Sequence, residues 1–67
     1  MSKELPISVM EELLRNAGAE RISNSAKEEL RIALEKRAKT VSKKSLSLAL
    51  HAGRKTIRSE DVRLAQN

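Results

Sequence analysis

The sequence lacks most of the features that stabilise a small protein as a single chain. It contains no cysteine, so neither a disulfide nor a thiolate-bound metal can hold it together. It contains no phenylalanine, tyrosine or tryptophan, the side chains that bury the most apolar area each. In a chain of 67 residues, oligomerisation is then the remaining means of stabilisation. We predict one domain, residues 1–67, that folds with a second chain.

Signals for membranes and export are absent as well. No run of about 18 apolar residues is present, which a membrane-spanning helix requires. The first residues contain neither an apolar stretch nor a small-residue cleavage site, both typical of signal peptides. The sequence therefore predicts a soluble, unexported cytoplasmic protein.

Acidic residues are too few to balance the basic ones. The chain has 14 lysines and arginines against 9 acidic residues, which gives a net charge of +5 and an isoelectric point near 10.1. Such a balance favours a polyanionic partner, and dimerisation doubles the charge. Nucleic acid is the leading candidate. An anionic membrane surface ranks second, because the alanine-rich apolar stripe lacks the aromatic residues typical of membrane-surface helices.

Two short helices are predicted from local signals. Pro6 suits the first turn of a helix, where its missing N–H is not needed, and Gly18 ends that helix. A third helix is expected over about residues 59–66, because Ser59, Glu60 and Asp61 are residue types that favour a helix N-terminus. The loop after the first helix and the Thr56–Ile57 pair are each long enough for only a small extended piece.

A long helix lies between them. Ser23 or Ser25 caps its start, and apolar residues follow helical spacing until Gly53 without an interrupting Pro or Gly. It has about eight turns and is roughly 40 Å long at 1.5 Å per residue. The two short helices cannot cover it, so we expect a second copy, with the two long helices crossing near their middles. Its apolar residues are Ala26, Leu30, Ala33, Leu34, Ala38, Val41, Leu48, Ala49 and Ala52.

The polar stretch 51–61, HAGRKTIRSED, connects the second and third helices. Gly53 allows the backbone to leave the long helix through a left-handed conformation, which costs other residues roughly 1 kcal/mol. Basic side chains and a hydroxyl follow directly. This composition predicts a surface that contacts phosphate, although a solvated loop is the ordinary alternative for such a charge run.

Several motifs resemble those of the archaeal histones. They are HAGRKTI (51–57), EDV (60–62) and LA (64–65) near one end, with LPI (5–7) and NAGAERIS (16–23) near the other. The resemblance covers almost the whole chain. It implies an all-α histone fold of a short, a long and a short helix in a handshake dimer, of the minimal type without tails. It also favours Ser23 as the cap of the long helix.

The resemblance implies a chromosomal function. Archaeal histones bind, bend and compact double-stranded DNA with little sequence specificity, as homodimers that join into tetramers or larger particles in the nucleoid. Arg54 and Asp61 are expected to form a salt bridge that braces the second loop. Leu48, His51 and Asp61 are expected at the junction between dimers. The expected DNA contacts are Arg15, Arg21, Lys39, Lys43, Lys55, Thr56 and Arg58.

Two departures from the family pattern, besides the lack of a tail, concern DNA contacts and fibre formation. Glu11 and Glu12 lie where many relatives carry a basic residue that touches phosphate. Ile32, Lys36 and Arg63 give no acid–base match at the positions where stacked turns of a fibre pair, so we expect shorter or weaker fibres. Both departures suit an alternative, a histone-fold subunit that pairs with a different chain in a regulatory complex without packaging DNA.

No enzymatic, metal or cofactor site is predicted. A single histidine, His51, without cysteine or clustered carboxylates makes a poor metal site. The sequence has no nucleophile–base pair and no Gly-rich phosphate loop. We therefore expect a protein that binds and does not catalyse.

Overall fold

The computed structural model describes residues 5–67, in which three α-helices follow one another. Helix α1 spans Ile7–Asn16, α2 spans Asn24–His51 and α3 spans Ser59–Ala65, and this part of the chain contains no β-strand. The short–long–short order confirms the predicted all-helical architecture. The predicted domain also includes residues 1–4, which lie outside the described residues. None of the three helices is both long and apolar enough to cross a membrane.

In the first half of the chain, residues 5–36, α1 packs through Met10, which is only 2 % exposed. Pro6 precedes the helix in an extended conformation, and its carbonyl accepts the N–H groups of Val9 and Met10. At the other end Gly18 adopts a φ of 112°, and its N–H donates to the carbonyl of Arg15 at 2.9 Å. The glycine therefore ends α1 as predicted, because side chains with a Cβ rarely adopt this φ.

Helix α2 begins at a serine cap. The Ser23 hydroxyl accepts the N–H of Ala26 at 3.0 Å, which satisfies one donor of the first turn. The Ser25 hydroxyl instead pairs with that of Ser23 at 3.2 Å. Of the two candidates, Ser23 is thus the capping residue. The helix then continues for 28 residues, close to the predicted eight turns.

The second half, residues 37–67, is organised around the end of α2 and the whole of α3. Ser45 and Ala49 of α2 and Asp61 and Ala65 of α3 are buried. Gly53 has a φ of 76°, and the next N–H, of Arg54, returns to the carbonyl of Ala49 at 2.9 Å. This is the expected left-handed exit from the helix.

The expected extended pieces do not form strands within residues 5–67. Thr56 and Ile57 lie in an irregular segment, and so do the residues around Arg21. Two or three extended residues form a ladder only when another strand accepts their hydrogen bonds. Residues 5–67 supply no such strand to either loop.

The described residues bury very little apolar side chain. Their only buried hydrophobic residues are Met10, Ala49 and Ala65. Large exposed apolar surface on a small protein marks an interaction surface. The exposed large hydrophobic residues are Leu5, Ile7, Val9, Leu13, Ile32, Leu46, Leu50, Ile57, Val62 and Leu64.

We predict that the stability of the folded chain rises with protein concentration. If two copies cover each other's apolar surface, a hundredfold rise in concentration stabilises the folded state by about 2.7 kcal/mol, and the melting temperature rises. Thermal denaturation between about 1 and 100 µM measures the shift, with sedimentation to identify the species. A folded single copy whose melting temperature does not change with concentration would contradict the prediction.

Candidate nucleic-acid interface

An ion pair fixes the loop between α2 and α3. The Arg54 guanidinium donates to both carboxylate oxygens of Asp61, with Nη1 at 2.9 Å from Oδ2 and Nη2 at 3.0 Å from Oδ1. Nη1 also donates to the carbonyl of Thr56 at 2.9 Å. Paired bonds of this kind hold both orientation and distance. The loop backbone at Thr56 is therefore tied to the first turn of α3.

Asp61 also organises the start of α3. Its Oδ2 accepts the N–H of Arg58, the residue that precedes the helix, at 2.8 Å. The hydrogen bond from Arg54, followed by that from the Arg58 backbone, lowers the pKa of Asp61 from 3.8 to about 2. The same contact raises the pKa of Arg54. The carboxylate thus stays ionised at neutral and mildly acidic pH.

Five of the predicted DNA contacts lie in the second half of the chain and are exposed. Lys55 and Thr56 follow Arg54 in the braced loop, and Arg58 directly precedes α3. Lys39 and Lys43 lie one turn apart on α2. Among residues 5–67, the ammonium groups of these three lysines make no hydrogen bond or ion pair. The braced loop and the neighbouring part of α2 therefore both present cationic groups to solvent.

The two remaining predicted DNA contacts lie in the first half. Arg21 is exposed in the loop between α1 and α2. Arg15, in the last turn of α1, is held by Glu11, with Nη2 3.0 Å and Nε 3.2 Å from Oε2. Its Nη1 reaches the carbonyl of Glu20 at 3.4 Å. Beside this loop lies an open groove of about 540 Å³, lined by Leu14, Ala19, Arg21, Ile22, Ser23 and Ala26.

The residues predicted at the dimer–dimer junction differ in accessibility. His51, the last residue of α2, is exposed, and Leu48 is half-buried one turn before it. Asp61 is 4 % exposed and already accepts three hydrogen bonds from its own chain. Oδ2 accepts two of these bonds and Oδ1 accepts one. Leu64, which is 58 % exposed in α3, was not among the predicted junction residues.

Several polar contacts were not anticipated from the sequence. The Lys27 ammonium lies 3.0 Å from Oε1 of Glu11, and Arg31 bridges Glu28 and Glu35. In the second half, Arg37 and Lys44 donate to the carbonyls of Gln66 and Asn67, at 3.0 and 2.9 Å. The pairs Glu11–Arg15, Glu28–Arg31 and Arg31–Glu35 have the i, i+3 or i, i+4 spacing typical of helical ion pairs, whereas the other contacts have no local sequence signature. The Lys44 ammonium is thus engaged just beyond the C-terminal end of α3.

The fold and the sequence identify a family of proteins associated with DNA. A family model described as histone-like transcription factor (CBF/NF-Y) and archaeal histone matches residues 3–65. The chain belongs to this histone-fold family. No curated protein matches the sequence. Members of the family bind DNA and dimerise, and the match supports a histone-like, DNA-associated role for this chain.

We predict that Asp61→Asn removes acid-dependent stability. A carboxyl with a lowered folded-state pKa contributes stability above its unfolded pKa, near 3.8, and this stability is lost as the pH falls towards about 2. Urea denaturation between pH 7 and pH 2 is the measurement. Wild type should lose stability from about pH 4 downwards, whereas Asp61→Asn should be less stable at pH 7 and change less below pH 4.

Glu60→Gln provides the matched control for this prediction. Glu60 lies in the same first turn of α3, so both variants remove a negative charge that favours the helix N-terminus. Glu60 makes no side-chain hydrogen bond with the described residues. Equal pH profiles for the two variants would show that the bonds of Asp61 do not contribute.

Proposed function

We propose that the protein is an archaeal-type histone that binds, bends and compacts double-stranded DNA. The observation that carries the proposal is the exposed cationic loop after α2, braced by the Arg54–Asp61 ion pair. A rigid loop presents Lys55 and Thr56 to phosphate without first being ordered, so binding costs less conformational entropy. In this function Arg54 is a brace and not a DNA contact.

The functional unit in this proposal is a homodimer. The exposed apolar surface of the single chain supports it, because a second copy can cover what the chain leaves open. With the two long helices crossing near their middles, the first loop of one copy lies beside the second loop of the other. Arg21 then joins Lys55 and Thr56 of the partner copy, and each dimer has two such clusters.

Binding by these clusters depends on the phosphates. Lys55 acts as a point charge, Thr56 donates its hydroxyl or backbone N–H, and Arg21 enters the minor groove where it faces the protein. Lys39, Lys43 and Arg58 are auxiliary contacts. Because no contact reads base edges in the major groove, preference between sequences comes from how easily the DNA bends.

Dimers associate further in this proposal through the end of α2 and the start of α3. Leu48 and His51 contact the same residues of a neighbouring dimer, and His51 bonds to Asp61 of that dimer. The proposed location is the nucleoid, in the cytoplasm.

A second candidate function is a heterodimeric regulatory subunit, since the family also includes transcription factors. The charge distribution of the first half favours this second function. Residues 1–36 contain six basic and seven acidic residues, so the first half supplies little attraction for DNA. Such a subunit binds random DNA weakly alone, whereas a packaging histone binds it tightly. Neither function involves catalysis, a metal or a cofactor.

We predict that Lys55→Ala weakens DNA binding uniformly across sequences. Losing one phosphate contact per chain lowers the slope of log affinity against log salt by about 0.9 for each contact. Gel shifts on random-sequence duplexes at several salt concentrations measure both the affinity and this slope. Arg63→Ala, which removes the same charge from the exposed last turn of α3, is the control and should change the slope less. If the wild-type protein does not bind random-sequence duplexes, that result would favour the function of a regulatory subunit.

We predict that His51→Ala weakens the association of dimers while the dimers themselves persist. The variant loses the bond to Asp61 across the junction, and the braced loop of each dimer is left intact. Micrococcal nuclease digestion of reconstituted DNA measures this directly, because fragment lengths count the dimers in a particle. Fragments should shorten towards those protected by single dimers. Unchanged fragment lengths would contradict the proposed role of His51 in the contact between dimers.

A further inference from the structure

Glu11 of α1 holds two basic side chains in one cluster. Its Oε1 accepts the Lys27 ammonium at 3.0 Å, and its Oε2 accepts Nη2 and Nε of Arg15 at 3.0 and 3.2 Å. The hydrogen bond from Lys27, followed by that from Arg15, lowers the pKa of Glu11. A single carboxylate therefore neutralises part of the charge of both cations.

The cluster lies beside the first loop. Arg15 is in the last turn of α1, Lys27 is in the first turn and a half of α2, and the loop between these helices carries Arg21. Arg15 also touches this loop directly, through the carbonyl of Glu20 at 3.4 Å. A phosphate that approaches Arg21 thus meets Arg15 within the same short stretch of surface.

We propose that Glu11 competes with DNA phosphate for Arg15 and Lys27, so that the first loop contacts DNA through Arg21 without these two neighbours. This inference rests on the proposed DNA-binding function. It revises the expectation that Arg15 contacts DNA, because the Arg15 guanidinium is paired with Glu11. It also assigns to Glu11 a specific effect, namely lower affinity and weaker salt dependence than the number of basic residues implies.

The neighbouring Glu12 differs from Glu11 in every feature that the proposal uses. Glu12 is exposed, and it makes no hydrogen bond or ion pair with residues 5–67. Substituting glutamine at either position removes one negative charge from the same turn of α1. Only the substitution at position 11 releases cations, so the pair separates a local effect from a change in net charge.

The test compares Glu11→Gln and Glu12→Gln in salt-dependent binding to a short random-sequence duplex. Each cation that gains a phosphate raises the slope of log affinity against log salt by about 0.9 per chain, so Glu11→Gln should gain up to about 1.8. Glu12→Gln should raise affinity with a much smaller change in slope. Equal slopes for the two variants would overturn the proposal.

Arg15→Gln provides an independent readout in case Glu11→Gln does not fold. Because Glu11 already occupies the guanidinium, Arg15→Gln should leave the salt slope of the wild type unchanged. A decrease of about 0.9 would mean that Arg15 contacts phosphate in the wild type, and it would overturn the proposal. If wild type and all variants fail to bind the duplex, the proposed function fails together with this inference. Wild-type binding with equal slopes for the two glutamine variants overturns the inference alone.

Discussion

The second half of the chain depends on one buried carboxylate. Asp61 lies in the first turn of α3. It accepts hydrogen bonds from the Arg54 guanidinium in the loop and from the N–H of Arg58, the residue before the helix. A buried charge is tolerated only when its hydrogen-bonding capacity is met, and here two charge-assisted bonds and one backbone N–H meet it. With the loop fixed in this way, Lys55 and Thr56 project from a rigid support.

In the first half of the chain, carboxylates instead form ion pairs with basic side chains and so reduce the positive charge that faces solvent. Glu11 holds Arg15 and Lys27, and Glu28 and Glu35 hold Arg31, whose side chain is only 12 % exposed. The two halves carry similar numbers of basic residues, six in residues 1–36 and eight in residues 37–67. The acidic residues, seven against two, make them electrostatically different.

Local signals predicted the helices well because their causes are local. Ser23, Gly18 and Gly53 act through the adjacent backbone, and each is found in the predicted role. The Glu11–Lys27 contact joins residues 16 positions apart, so it depends on how α1 packs on α2 and has no sequence signature. Likewise, Asp61 was expected to favour α3 by its charge, but its bond to the Arg58 N–H depends on backbone geometry. The DNA contacts and the dimer junction remain predictions.

Net charge is therefore a poor measure of how many phosphates the chain can contact. Arg15, Lys27, Arg31 and Arg54 are committed to carboxylates, and Arg37 and Lys44 to backbone carbonyls. Taking these cations from their partners exchanges one favourable contact for another, so DNA gains little from them. In the proposed function, phosphate contacts come instead from exposed basic side chains without a partner among residues 5–67, so the salt dependence should reflect these and not the 14 basic residues of the sequence. Among the residues proposed to contact DNA, the exposed basic side chains of this kind are Arg21, Lys39, Lys43, Lys55 and Arg58.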